Sequence, residues 1–138
     1  LAKAFKDNKL DRKNLKLEII PTYREERQLY YDKLKNEIHN YTAIFCASDA
    51  YAIEVINYLK DYGYNIPEDI SIAGFDDISS GKIIRPALTT IRQDIKMRAS
   101  KAILLLKELI DGNVKENNLI LPVELIERDS VAYLSESR

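Results

Sequence analysis

Two short runs, residues 42–47 (TAIFCA) and 70–75 (ISIAGF), are apolar almost throughout and rich in β-formers. A strand with one wet face alternates apolar and polar residues, so an unbroken run marks a strand covered on both faces of a parallel sheet. Between the two runs, Ala52, Val55, Ile56, Leu59 and Tyr62 recur at helical spacing, with Ser48 or Asp49 available as a cap and Gly63 as a stop. A strand–helix–strand order of this kind implies parallel pairing through a right-handed crossover and confines the chain to the α/β class. The remaining pattern extends it. Leu15, Leu17 and Ile19 alternate with Lys16 and Glu18 as in a half-buried strand closed by Pro21, and Leu29, Tyr30, Leu34 and Ile38 mark a helix over 24–39. Residues 65–69 read as a turn and 88–92 as a short strand. Asp94 caps a helix with a wide apolar stripe (Ala99, Ala102, Ile103, Leu106, Leu109, Ile110), and Gly112 ends it. Residues 119–128 form a last strand, which Pro122 confines to an edge or a break. The predicted fold is α/β, a parallel sheet with helices on both faces.

The composition narrows what such a fold can do. A chain of 138 residues with 46% apolar side chains is one domain with a real core. Its 21 Lys and Arg against 22 Asp and Glu leave no cationic excess to neutralise phosphates, so these residues are not expected to grip nucleic acid by themselves. One cysteine, Cys46, and one histidine, His39, make neither an internal disulfide nor a soft-ligand metal cluster. Cys46 lies in an apolar strand and reads as core; His39 reads as surface. No apolar run approaches the ~18 residues of a membrane span, and the first residues carry no export signal, which points to the cytoplasm. The chain opens without methionine on what reads as the tail of a helix, as a piece of a longer protein does.

In open α/β sheets ligands bind beyond the carboxyl ends of the strands. That rule selects Tyr23, Ser48, Asp49, Asp76 and Asp77. Carboxylates at neighbouring strand ends either hold magnesium for phosphoryl transfer or accept hydrogen bonds from a polyhydroxyl ligand. A receiver-like phosphoryl-transfer site wants an acidic pair after the first strand, where this chain has Tyr23 and Arg24. In the plainer alternative Asp49 is a helix cap and Asp76–Asp77 a turn. Neither G-x-G-x-x-G nor a Walker pattern is present.

Taken together, TAIFCASDAYA, DYGYNIPEDISIAGFDDISS, RPALTTIRQD and LILPVELIERDS resemble the lactose-repressor (LacI/GalR) family of bacterial transcription regulators, over nearly the whole chain. The resemblance implies a periplasmic-binding-protein-like effector domain: two α/β subdomains joined by three crossovers, with a small molecule, a sugar, in the cleft between them. Residues 1–138 would be part of that domain, mostly its C-terminal subdomain. The chain would cross at Gln93, so that helix 94–111 belongs to the largely absent N-terminal subdomain and leaves its apolar stripe open. DNA would be reached only through a helix-turn-helix head absent from this chain, in a homodimer, with no catalysis and no cofactor. Asp76 in GFDD resembles the carboxylate that accepts sugar hydroxyls, Ser48 stands where many members have asparagine, and Asp49 matches a residue that is more often structural. Tyr23 falls where members often carry an aromatic ring that stacks on the sugar, Gln93 at the hinge crossing, and Ile95 at a place often aromatic. Ala99 replaces the usual glycine. Periplasmic sugar-binding proteins of transport systems share this fold, but the GFDD and IPEDISI wording favours the regulator.

Overall fold

The computed structural model describes residues 2–113 and 118–134. They fall into two compact units, Leu1–Leu34 and Lys35–Arg138. The first unit holds helix α1 (Ala2–Asp7), a 3-10 turn at Arg12–Asn14 and most of helix α2 (Arg24–Glu37). Glu25 and Glu26 lie in the first turn of α2, at the positive end of its dipole. The expected strand at 15–20 does not form: that stretch pairs with no strand among the described residues, and Ile19 is 93% exposed. Alternation signals a strand only where a neighbour supplies the ladder, and none is supplied here.

The second unit contains β1 (Ala43–Phe45), α3 (Asp49–Asp61), β2 (Ser71–Phe75), the short α4 (Ser80–Ile83), β3 (Thr89–Gln93), α5 (Ile95–Ile110) and β4 (Val123–Ile126). The four strands form one sheet in the order β1-β2-β3-β4. β1 pairs with β2 in parallel, Ile44 opposite Ile72, and β2 with β3 in parallel, Gly74 opposite Thr90. β4 runs antiparallel to β3, Leu125 opposite Ile91. It begins directly after Pro122 and closes one edge of the sheet, where a residue without an N–H is tolerated. The expected parallel sheet is found in β1, β2 and β3, while the edge strand β4 runs antiparallel, and α4 lies where a loop was expected.

The core sits where α3 meets β2. Ala52, Val55, Ile56 and Leu59, the stripe legible in the sequence, are buried together with Ile70, Ile72 and Leu88. Gly63 ends the helix region at φ +85°, a conformation that needs no Cβ. Continuous burial of the apolar runs gives way to alternation: Ile72 and Gly74 are buried, Ser71, Ala73 and Phe75 only partly, and Phe45 is 43% exposed. After β4 the chain returns beneath the amino ends of β2 and β3. There the buried Ser130 donates from Oγ to the Ile72 carbonyl at 2.6 Å and accepts from the Thr89 N–H at 2.8 Å, and its own carbonyl accepts from the Ile72 N–H at 2.8 Å. Helix α5 contrasts with α3. Its apolar stripe has no buried residue, with Ile103 69% and Leu106 57% exposed.

Gly74 is the most closely approached of the glycines at positions 63, 74, 81 and 112. A Cβ there would overlap Asp49 Oδ1 and come within 3.2 Å of the Asp49 Cα and 3.0 Å of Leu88 Cδ2. Relief would require backbone to move. Gly74→Ala is therefore expected to destabilise the fold by about 2 kcal/mol or more, read as a lowered urea midpoint with an unchanged m-value.

Candidate functional site

Because β1, β2 and β3 are parallel neighbours, their carboxyl ends lie side by side and deliver Ser48 and Asp49, Asp76 and Asp77, and Gln93 to Ile95 to one edge of the sheet. Ser48 is the N-cap of α3: its backbone is extended and its Oγ accepts from the Ala50 N–H at 3.2 Å.

Asp49 is fully buried. Its Oδ1 accepts from Thr90 Oγ1 at 2.5 Å and its Oδ2 from the Ile78 N–H at 2.9 Å. It neither caps the helix nor faces a ligand, which corrects its selection as a binding residue and also the alternative that made it the cap. The carboxylate instead joins the start of α3 to β3 and to the turn after β2. The same charge lies near Cys46, whose thiol is pushed up to about 12 by burial and then by Asp49, so it stays protonated in the core.

The turn after β2 is strained. Asp76 has φ +120° and Asp77 φ +54°, conformations rare for residues with a Cβ. Three groups hold it in place: the Asp76 N–H donates to the Ile91 carbonyl at 2.8 Å, the Ile78 N–H to Asp49, and the Asp77 carboxylate receives two arginines. Arg92 Nε donates to Asp77 Oδ2 at 2.7 Å, Arg128 Nη2 donates to Asp77 Oδ1, and Arg92 Nη1 reaches Glu124 at 3.1 Å across the β3–β4 pair. Burial alone would push the Asp77 carboxyl up, but the hydrogen bonds and charges of Arg128 and Arg92 outweigh it and hold it below the usual carboxylate range. Neither Asp49 nor Asp77 is thus available to a cation, which removes the carboxylates a receiver-like reading requires.

Asp76 is different. Its Oδ1 accepts from Gln93 Nε2 at 2.9 Å, and among the described residues no group hydrogen-bonds its Oδ2. The structure therefore brings two of the selected residues together, Asp76 and Gln93, beside a strand end that also carries Ser48. Ile95 opens α5 and is exposed. Tyr23 belongs to the first unit, immediately before α2, and is 70% exposed. Thr90, Arg92, Arg98 and Arg128, which set the geometry of the strand ends, were not selected from the sequence, since each acts through a partner on another element.

Residues 2–131 match the family of the periplasmic binding protein-like domain, and the chain belongs to that family. Its relatives are helix-turn-helix transcription regulators: it is 39% identical over 99 residues, 72% of this chain and 30% of the relative, to the HTH-type transcriptional regulator MalR of Clostridium butyricum. It is similar in structure to the periplasmic binding ribose operon repressor protein of Lactobacillus acidophilus, with TM-score 0.78 and 27% identity over 96% of this chain and 48% of that one. It is likewise similar to a LacI family transcriptional regulator of Enterococcus faecium with bound ribose, with TM-score 0.72 and 31% identity over 97% of this chain and 50% of that one. The chain spans about half the length of these solved structures and 30% of the curated regulator. The resemblance to LacI-type effector domains read from the sequence motifs is thus found again in sequence relatives and in structure.

The Asp77 carboxyl titrates lower in the folded than in the unfolded chain. Its stabilisation is therefore fully present above the unfolded value, about pH 4, and is lost as pH falls through the lower folded value. Urea unfolding followed from pH 7 to pH 2.5 should show this acid limb, and Asp77→Asn should flatten it while lowering stability at neutral pH.

Proposed function

We propose that this chain is the effector-sensing part of a LacI-type transcription regulator, binding a sugar at the carboxyl ends of β1, β2 and β3 and performing no catalysis. The observation that carries the reading is the Asp76 carboxylate, fixed by Gln93 through one oxygen and open at the other among the described residues, on a strained turn at a strand end. A carboxylate with an unengaged oxygen accepts a hydroxyl in a charge-assisted bond, which suits a polyhydroxyl ligand. Ribose bound to the Enterococcus faecium regulator supports the ligand class. Ser48 adds a hydroxyl at the neighbouring strand end and Ile95 an apolar face, both as parts of the same proposed site. Ligand binding would favour one closure state of the two subdomains and so change the geometry of attached DNA-binding heads. The intact regulator would act in the cytoplasm as a homodimer and reach DNA through a head that these residues do not contain.

The domain assignment follows the same reading: residues 1–138 are part of an effector domain, and helix 94–111, crossing at Gln93, belongs to an N-terminal subdomain. The support is the contrast between the two long helices of the second unit, α3 with its stripe buried and α5 with no buried residue. Large contiguous apolar patches on soluble proteins mark surfaces that another surface covers.

Two outcomes test the proposal. In the intact protein, Asp76→Ala should weaken binding of D-ribose, or of whichever sugar a panel of pentoses and hexoses selects, by about tenfold or more, since each charged hydrogen bond contributes about 1.5 to 3 kcal/mol. Isothermal titration reads this, and unchanged affinity would make Asp76 a turn residue only. The 138-residue chain studied alone should self-associate through the open α5 stripe and bind a hydrophobic dye, and Leu106→Glu should abolish both. Sedimentation of the unmutated chain as a monomer at high micromolar concentration, without dye binding, would show that α5 does not await another surface.

A further inference from the structure

Gln93 does not hold Asp76 unaided. Arg98, exposed on the second turn of α5, donates from Nη1 to Gln93 Oε1 at 3.0 Å, while Gln93 Nε2 donates to Asp76 Oδ1 at 2.9 Å. A side-chain amide has two unlike ends, and a guanidinium has donors only. Contact with Arg98 therefore obliges Gln93 to turn its carbonyl oxygen toward α5 and its NH2 toward Asp76. With the amide reversed, the NH2 would meet a cation and the carbonyl oxygen an anion, and both contacts would be lost. Both bonds are charge-assisted, one at each end of the same amide, so each polarises the group in the sense that strengthens the other.

We propose that Arg98 is a positioning residue of the ligand site: it fixes the orientation of the Gln93 amide and through it holds the Asp76 carboxylate by Oδ1, leaving Oδ2 for a ligand hydroxyl. The inference rests on the reading of Asp76 as the ligand's acceptor. It also ties the strained turn after β2 to α5, so that a shift of the Asp76 carboxylate on binding is transmitted to that helix through two hydrogen bonds. Arg98 has no sequence motif and was not among the residues selected from the sequence. Its other side-chain N–H groups make no hydrogen bond among the described residues, so its replacement breaks one bond, at the exposed end of the Gln93 amide.

The test compares Arg98→Met, which keeps the length and helix propensity of the side chain but has no donor, with Arg98→Lys, which keeps a cationic donor. In the unmutated protein the Gln93 side-chain NH2 should give two resolved proton signals protected from exchange. Arg98→Met should speed that exchange by about tenfold, as loss of a bond of about 1.4 kcal/mol requires, with the melting temperature lowered by only a few degrees, while Arg98→Lys restores most of the protection. Titration of the intact protein with D-ribose should then show about three- to tenfold weaker binding in Arg98→Met and near-normal binding in Arg98→Lys. Gln93 signals indifferent to Arg98→Met, or signals that move while ribose affinity does not, would overturn the proposal. If the unmutated protein binds neither ribose nor any sugar of the panel, the sugar reading falls by itself, and the positioning role of Arg98 toward Asp76 stands or falls on the Gln93 signals, measured with Asp76→Asn alongside.

Discussion

A carboxylate shut away from water is tolerated only where donors meet its oxygens, and in this chain that condition fixes the geometry of the strand ends. Asp49 accepts from Thr90 on β3 and from the Ile78 N–H in the turn after β2 while standing in the first turn of α3, so one side chain ties three elements that are far apart in sequence. Removing either donor would leave a buried anion under-satisfied, which costs more than the bond itself contributes. The absence of a side chain at Gly74 is what makes room for Asp49. Crossover, register and turn are thereby set together, and the residues at the three strand ends inherit their positions from it.

Two adjacent aspartates take opposite roles within this frame. Asp77 is held by Arg92 and Arg128 and joins the turn to the antiparallel β4 edge; Asp76 keeps one oxygen without a partner among the described residues. The positive φ at both residues is sustained because the neighbours over-determine the turn: a backbone bond to β3 on one side, the Asp49 carboxylate on the other and two guanidinium groups beneath. Strain maintained in this way keeps a polar group presented where relaxed backbone would withdraw it, which is the physical basis for placing the proposed ligand contact at Asp76 and its support at Gln93 and Arg98.

The two long helices of the second unit show how the same sequence pattern leads to different outcomes. Both α3 and α5 carry a clean apolar stripe and an aspartate or serine at the cap, and both form as expected. The stripe of α3 lies on β2 and makes the core, whereas that of α5 is open to solvent. Amphipathicity states that a helix needs a covering surface, and it does not state which surface covers it. The proposed assignment of α5 to another subdomain rests on this difference.

The sequence by itself determined the α/β class, the parallel β1–β2 pair, the boundaries of α3 and α5 with the Asp94 cap of α5, the edge position of the strand after Pro122, and the resemblance that the family match bears out. These are legible because they depend on short-range quantities: a period of two or 3.6 residues, a cap a few residues from its donor, a proline without an N–H. Only the tertiary structure decided that residues 15–20 pair with no strand among the described residues, that β4 runs antiparallel, that Asp49 is buried beneath the turn, and that among the described residues Asp76 rather than Asp77 has an oxygen to spare. Each of these is settled by a partner fifteen or more residues away or by the lack of one, as in Asp77 with Arg128 or Asp49 with Thr90. A lone aspartate in a sequence looks the same whether an arginine will reach it or not, because the charge that commits it arrives only when the chain has folded.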